Sequence, residues 1–222
     1  MKNLIKKYGD PIAVIFSNNK NDYHVVWEFE DTFEINYDQL PDNEILNKLQ
    51  NKINGWKNRF NEIAAIGYFS YDAKQIFFPH IKFKNIKSPF PIIWFGKPKI
   101  IETIPRTEFH DFYASSCSIK KDIDIMPQLQ YDKKIDTIKM HLKAGNVYQI
   151  NFTQPIKYKY SSDALDLFGT LSKFSSPNFG AYLNINEQKI LSLSPENFFT
   201  KNNDIISSSP IKGTRTRSDD TN

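Results

Sequence analysis

The hydrophobic period changes along this chain, and no fold built from one kind of element can satisfy it. Between residues 43 and 60, Leu46, Leu49, Ile53, Trp56 and Phe60 recur at three- and four-residue spacing. That spacing predicts an amphipathic helix, because residues three and four apart share one face. Asp42 stands where the N-cap of such a helix is expected. On either side the apolar runs are short and partly β-branched, as strands are. Residues 11–16 and 23–29 read as buried strands before the helix. Residues 64–71 read as a central strand after it, and 91–95 and 99–104 as two further strands.

Residues 106–129 carry only weak periodicity. Ile119, Ile123 and Ile125 alternate among charged residues, which leaves an edge strand or a loop open. The pattern then sharpens. Residues 131–143 read as a helix with Ile135, Ile138 and Leu142 on one face and Lys143 in the last turn. Gly145 is placed for a left-handed C-terminal cap. Residues 147–153 follow as a strand. Ser162 is placed to cap a second helix, with Leu165, Phe168 and Leu171 on one face and Pro177 beyond its end. Residues 179–185, 189–193 and 204–208 read as strands. Helices and strands mix without strict β-α-β alternation, so the expected class is α+β. The expected organisation is an N-terminal region over 1–105, an irregular connection over 106–129, and a second region over 130–222.

Composition narrows the function classes. The chain has 222 residues, with 29 basic against 25 acidic side chains and a net charge of +4. Lysines such as Lys6, Lys7, Lys133 and Lys134 are dispersed among acids and asparagines, not gathered on one patch as in nucleic-acid binders. Cys117 is the single cysteine, so no internal disulfide can form, which suits a reducing compartment. The longest apolar runs, such as residues 12–16, are far too short to span a bilayer. A cytoplasmic protein binding neither membrane nor nucleic acid is expected.

Three segments carry candidate chemistry. Along the strand expected at 147–153, side chains alternate, so Gln149, Asn151 and Thr153 line one face. That face is either solvent-exposed polar surface or the wall of a ligand site. In the tail Pro210-Ile211-Lys212-Gly213-Thr214-Arg215-Thr216-Arg217, glycine permits close backbone approach to a ligand. The tail is either a solvated basic chain end or an anion site, which the Gly213 amide, the Thr214 hydroxyl and the arginines suit. A nucleophilic lysine must lose its proton, and nearby positive charge favours that loss; Lys212 has such neighbours in Arg215 and Arg217. The third segment is Ser192-Leu193-Ser194-Pro195-Glu196, where Glu196 follows a strand and can serve as a general acid if its pKa is raised. Neither His24, His80, His110 nor His141 has metal-ligand spacing to another or to Cys117. There is no phosphate-binding loop and no dinucleotide fingerprint.

Taken in order, these segments resemble the chorismate-binding enzymes, a family that includes aminodeoxychorismate, anthranilate and isochorismate synthases. The resemblance rests on Lys143-Ala144-Gly145-Asn146-Val147-Tyr148-Gln149-Ile150-Asn151-Phe152-Thr153-Gln154, on Leu191-Ser192-Leu193-Ser194-Pro195-Glu196-Asn197-Phe198 and on Pro210-Ile211-Lys212-Gly213-Thr214-Arg215. Gly67-Tyr68-Phe69-Ser70-Tyr71-Asp72 resembles a glycine-tyrosine-aspartate strand of the family's N-terminal region. Lysine at position 212 is similar to the aminodeoxychorismate synthase component I branch, whereas anthranilate and isochorismate synthases usually carry alanine there.

The resemblance implies an α/β sandwich of large antiparallel sheets flanked by helices. It implies that Lys212 is a covalent nucleophile toward chorismate and Glu196 the acid that assists loss of the 4-hydroxyl. Gly213, Thr214, Arg215, Gln149 and Asn151 would bind substrate. Ammonia from a glutamine amidotransferase subunit would yield 4-amino-4-deoxychorismate, on the route to para-aminobenzoate and folate. The resemblance also implies Mg²⁺, with its acidic ligands in a C-terminal half that this chain lacks, so a part of a longer enzyme is expected, and no metal ligand within it. Some family members hold tryptophan between the N-terminal strands; Ser17 and Asn178-Phe179-Gly180 would contribute. Here the chain departs from the family pattern, having Val14-Ile15-Phe16-Ser17 for Leu-Leu-Asp/Glu-Ser and Ser176-Pro177-Asn178-Phe179 for Pro-x-Pro-Phe.

Overall fold

A computed structural model describes residues 1–17, 21–40, 44–57, 63–83, 88–114, 117–122 and 126–211. The chain runs α1 (Lys2–Tyr8), β1 (Ala13–Phe16), β2 (Asp22–Ile35), α2 (Ile45–Trp56), β3 (Ile66–Phe69), α3 (Lys74–Phe77), β4 (Ile93–Pro105) and α4 (Arg106–Tyr113). It continues through β5 (Ile119–Lys121), α5 (Gln128–Lys143) and β6 (Tyr158–Tyr160). It ends in α6 (Ala164–Ser175), β7 (Phe179–Ile185), β8 (Gln188–Ser194), β9 (Thr200–Asn202) and β10 (Ile205–Ser207). Two compact units result. One combines Met1–Ser115 with Ala164–Asn222; the other is Ser116–Asp163. The class is α+β, as expected.

The first unit is built on a six-stranded sheet in the order β3-β4-β2-β1-β7-β8, antiparallel throughout. Alternation along each strand divides its side chains between two faces. Val14, Tyr23, Val25, Trp27, Ile104 and Tyr182 pack against Phe109 and Tyr113 of α4 and Leu165 and Phe168 of α6. Ala13, Val26, Trp94, Leu183 and Ile185 form the opposite layer with Ile66. A third cluster docks α2, through Ile45 and Leu49, beside Ile35, Ile92 and Ile93. Burying each large apolar side chain contributes roughly 1.5–3 kcal/mol, so the layer under α4 and α6 is a main source of stability.

Close backbone approach fixes how α4 meets α6. A Cβ on Gly169 would lie 2.6 Å from the carbonyl oxygen of Tyr113, so the two helices touch where no side chain intervenes. Gly67 does the same for β3, where a Cβ would lie 2.1 Å from the Trp94 carbonyl oxygen.

Several expectations need correction. The strand expected at 64–71 is the four-residue β3, and it lies at the sheet edge, not the centre. The two strands expected at 91–95 and 99–104 are one, β4. Between the two expected spans, Pro98 sits opposite Phe29 where the register with β2 shifts. A residue without a backbone donor is tolerated at such an irregularity. In α2, Leu49 and Trp56 of the expected face are buried, but Ile45 is buried in place of Leu46, which is exposed; Asp42 and Phe60 lie outside the described residues. Residues 106–113, which showed weak periodicity, form α4.

In the second unit, α5 ends as the glycine predicted. Gly145 has φ +73°. Its N–H donates to the Leu142 carbonyl at 3.1 Å, and the Asn146 N–H to the His141 carbonyl at 3.0 Å. This pair of bonds is the Schellman closure. The strand expected at 147–153 does not form; the chain there is irregular. An extended polar-apolar alternation becomes a strand only beside a partner that accepts its backbone bonds, and among the described residues the unit's ladder is β5 with β6. Ser162 does not cap α6. Its hydroxyl donates to the Cys117 thiol at 2.9 Å.

Candidate functional site

Three antiparallel strands bring most of the described candidate residues to one end of the sheet. β1 pairs with β7 through Ala13↔Leu183, Val14↔Tyr182 and Ile15↔Ala181. β7 pairs with β8 from Phe179↔Ser194 to Ile185↔Gln188. Ser17 therefore leaves β1 at the end where Asn178, Phe179 and Gly180 enter β7 and where Ser194, Pro195 and Glu196 leave β8. The side chains confirm this convergence. The Asn178 amide donates to the Pro195 carbonyl at 3.3 Å. The Phe16 ring covers Gly180 so closely that a Cβ there would lie 2.5 Å from Cε1. A larger residue at position 180 would have to displace the Phe16 ring.

Glu196 is set on a tight local turn. The Ser194 hydroxyl donates to the Glu196 carbonyl at 2.9 Å, and the Glu196 N–H donates back to Ser194 Oγ at 3.3 Å. Its side chain is exposed. Beyond it, Phe198 is 85% exposed and the β9–β10 hairpin presents Ile205 and Ile206 to solvent. Lys212, Gly213, Thr214 and Arg215 lie outside the described residues, as do Thr216 and Arg217. Gln149 and Asn151 belong to the other unit, where the Gln149 amide donates to Asn151 Oδ1 at 3.3 Å.

Asp72, which closes the glycine-tyrosine-aspartate segment, is tied down from two sides. Tyr37 donates its hydroxyl to one carboxylate oxygen, and Lys74 Nζ lies 2.6 Å from the other. The Lys74 ammonium, followed by the Tyr37 hydroxyl, holds the Asp72 carboxyl below the usual carboxylate range. Burial raises the Tyr37 phenol, and the bond to Asp72 adds to this.

A polar cluster that sequence reasoning missed lies beneath α4 and α6. Tyr23 Oη is 2.8 Å from His110 Nε2 and 3.4 Å from Ser172 Oγ, and Arg106 Nε donates to it at 3.3 Å. The Arg106 guanidinium also sits 4.3 Å from the centre of the Phe16 ring. One signal was available. Arg106, Phe109, His110 and Tyr113 fall at positions i, i+3, i+4 and i+7, the spacing of one helix face.

Residues 113–222 match the family described as chorismate binding enzyme. Within the matched residues lie Glu196, Lys212 and every substrate-binding candidate. Aminodeoxychorismate synthase component 1 of Salmonella typhimurium is 35% identical over 95 residues, covering 43% of this chain and 21% of the relative. The Escherichia coli protein of the same name is 37% identical over 92 residues, covering 41% and 20%. Anthranilate synthase component 1 of Saccharolobus solfataricus is 24% identical over 169 residues, covering 71% and 40%. The matched stretches thus span between a fifth and two fifths of these relatives' lengths.

Proposed function

We propose that this chain is part of an aminodeoxychorismate synthase component I, converting chorismate and ammonia to 4-amino-4-deoxychorismate. The observation that carries the reading is Lys212 in Pro210-Ile211-Lys212-Gly213-Thr214, within the residues that match the chorismate binding enzyme family, in a chain 35–37% identical over 92–95 residues to synthases of that name. Deprotonated Lys212 Nζ forms a bond to the substrate ring. The ring double bonds shift, and the bond to the 4-hydroxyl breaks. Hydroxide is a poor leaving group, so Glu196 gives its proton to the departing oxygen and water leaves. Ammonia then bonds to the ring and the lysine departs with its electron pair. Two easier substitutions replace one hard one.

Gly213, Thr214 and Arg215 are suited to the two carboxylates of chorismate, with Gln149 and Asn151 as further polar contacts. Mg²⁺ belongs to the same reading, as a hard cation holding a substrate carboxylate. Among the described residues no three potential ligand side chains lie together; its ligands are assigned to the rest of the enzyme, and no step here runs through it. The ammonia source in this reading is a glutamine amidotransferase subunit, and the setting is the cytoplasm. Among the described residues no helix is long and apolar enough to cross a membrane.

The longer match to anthranilate synthase favours a second reading, with anthranilate as product. Products separate the two. With chorismate and ammonium, the native protein should release 4-amino-4-deoxychorismate, which keeps its enolpyruvyl group. Anthranilate together with pyruvate would overturn the first reading in favour of the second. Lys212→Ala should abolish the covalent adduct of chorismate seen by intact-protein mass; an adduct of the same mass in that variant would remove Lys212 as nucleophile.

A further inference from the structure

We propose that Tyr23, His110, Ser172 and Arg106 form a proton-sensitive latch that holds α4 and α6 on the sheet and weakens when His110 is protonated. The geometry carries this. Tyr23 is fully buried at the centre of the layer, touching rings from β1, α4 and α6: Phe16 at 4.9 Å, Phe109 at 4.9 Å and Phe168 at 6.4 Å between centroids. Its hydroxyl is the one polar atom this ring brings into that layer, and a buried hydroxyl requires partners. His110 of α4 and Ser172 of α6 both face it, and His110 Nε2 also lies 3.1 Å from Ser172 Oγ. Three elements therefore meet at three mutually bonded side chains.

The hydrogens in this cluster have a preferred direction. Arg106 Nε–H donates to the phenol oxygen. The Ser172 hydroxyl donates to the Gly169 carbonyl at 3.1 Å. With a neutral His110 carrying its hydrogen on Nδ1, the phenol donates to Nε2 at its shortest contact. A proton arriving on Nε2 turns that nitrogen into a donor. The phenol then loses its best acceptor and must turn to Ser172, at the longer 3.4 Å. A second cation is also placed beside Arg106.

The charged groups around the ring favour the neutral form on balance. Burial lowers the His110 pKa most. Arg106 on its own helix and Lys173 on α6 lower it further, and Asp111 on its own helix opposes them. From β2 the group facing it is the Tyr23 phenol. The sign follows from linkage. A histidine whose folded pKa lies below its ordinary value of 6.5 binds protons more readily when the chain is unfolded. Its contribution is fully present above pH 6.5 and falls as the pH drops from there toward the folded value.

Urea unfolding of the 222-residue chain at about pH 7.5 and about pH 5.5 tests the latch. The wild-type folding constant should drop on acidification, by at most about tenfold per pH unit for one proton. His110→Gln cannot take up the proton, and its constant should change less over the same interval. His80→Gln, on the surface, should keep the wild-type slope. An unchanged slope in His110→Gln overturns the proposal. Should His110→Gln fail to fold, Arg106→Gln decides. Removing the neighbouring cation should shrink the acid-dependent drop, and a wild-type drop in that variant overturns the latch.

Discussion

The two compact units differ most where their sequences look most alike. α6 and α5 both carry apolar residues at helical spacing. α6 buries Ala164, Leu165, Phe168, Gly169 and Ser172, whereas α5, longer by a turn, buries none of its sixteen residues. Periodicity states which face of a helix is apolar; it does not state that a surface is present to cover it. In α6 that surface is the sheet and α4. α5 has only partial cover, from the Phe152 ring 5.7 Å from that of Tyr131, and relies more on local devices: its Schellman end, the Gln128 amide bond to Asp132 at 2.8 Å, and the Thr137 hydroxyl bond to the Lys133 carbonyl at 2.9 Å. Such bonds contribute only about 0.5–1.5 kcal/mol each.

Side-chain truncation should separate the units most sharply. Phe168→Ala empties a fully buried site and should cost about 3–5 kcal/mol in urea unfolding. Leu142→Ala in α5 removes a side chain that is 39% exposed, and should stay within about 1 kcal/mol of wild type. Comparable losses for the two would mean that α5 has a covering surface after all, and the contrast would fail.

Glycines give a finer comparison. Gly169 is required for space and Gly145 for its dihedral angle. An alanine at 169 meets the Tyr113 carbonyl at 2.6 Å and should cost about 1–3 kcal/mol by overpacking. An alanine at 145 meets nothing within 4 Å, but must hold φ +73°, at about 1–2 kcal/mol. Asparagine distinguishes the causes, because it tolerates the left-handed region but has more bulk. Gly145→Asn should recover part of the alanine loss, and Gly169→Asn should be worse than Gly169→Ala. Recovery at both positions, measured by thermal unfolding, would show that α4 and α6 can separate at little cost.

The same physics decides how much was legible from sequence. β7 matched its expected span because its alternation is completed by an adjacent hairpin partner, β8. The Gly145 cap was legible because it depends on one residue's conformational freedom. The strand expected at 147–153 was not, because alternation leaves open whether a partner strand is in reach. β4 was expected as two strands, because alternation alone does not show that its pairing with β2 continues through the irregularity at Phe29 and Pro98. At the candidate site, the motif segments supplied the candidate residues, but only the register of β1, β7 and β8 places Ser17, Asn178 and Glu196 at one end. The buried cluster escaped because the histidines were compared only with metal-ligand spacing. His110 is bonded instead to Tyr23, 87 residues away in sequence.

The smallest predicted effect lies at the opposite end of the β7–β8 hairpin from the candidate site. Its turn places Asn186 at φ +46° and Glu187 at φ +69°. Two consecutive left-handed residues make the type I′ geometry, for which Asn-Gly is the preferred pair. Asn186 fits, and its amide reaches Glu34 Oε2 at 3.5 Å. Glu187 pays for its side chain in steric strain and makes no ion pair among those described, so Glu187→Gly should remove strain at the second position. Glycine also widens the unfolded ensemble, which opposes the gain, so the net stabilisation should be about 0.5 kcal/mol. A rise of that size in unfolding free energy would show that the hairpin is anchored by its register with β1 and tolerates a freer turn. A loss would show that the Glu187 side chain makes a contact worth more than the strain it imposes, and the β7–β8 end of the sheet would then depend on its turn as α5 depends on its cap.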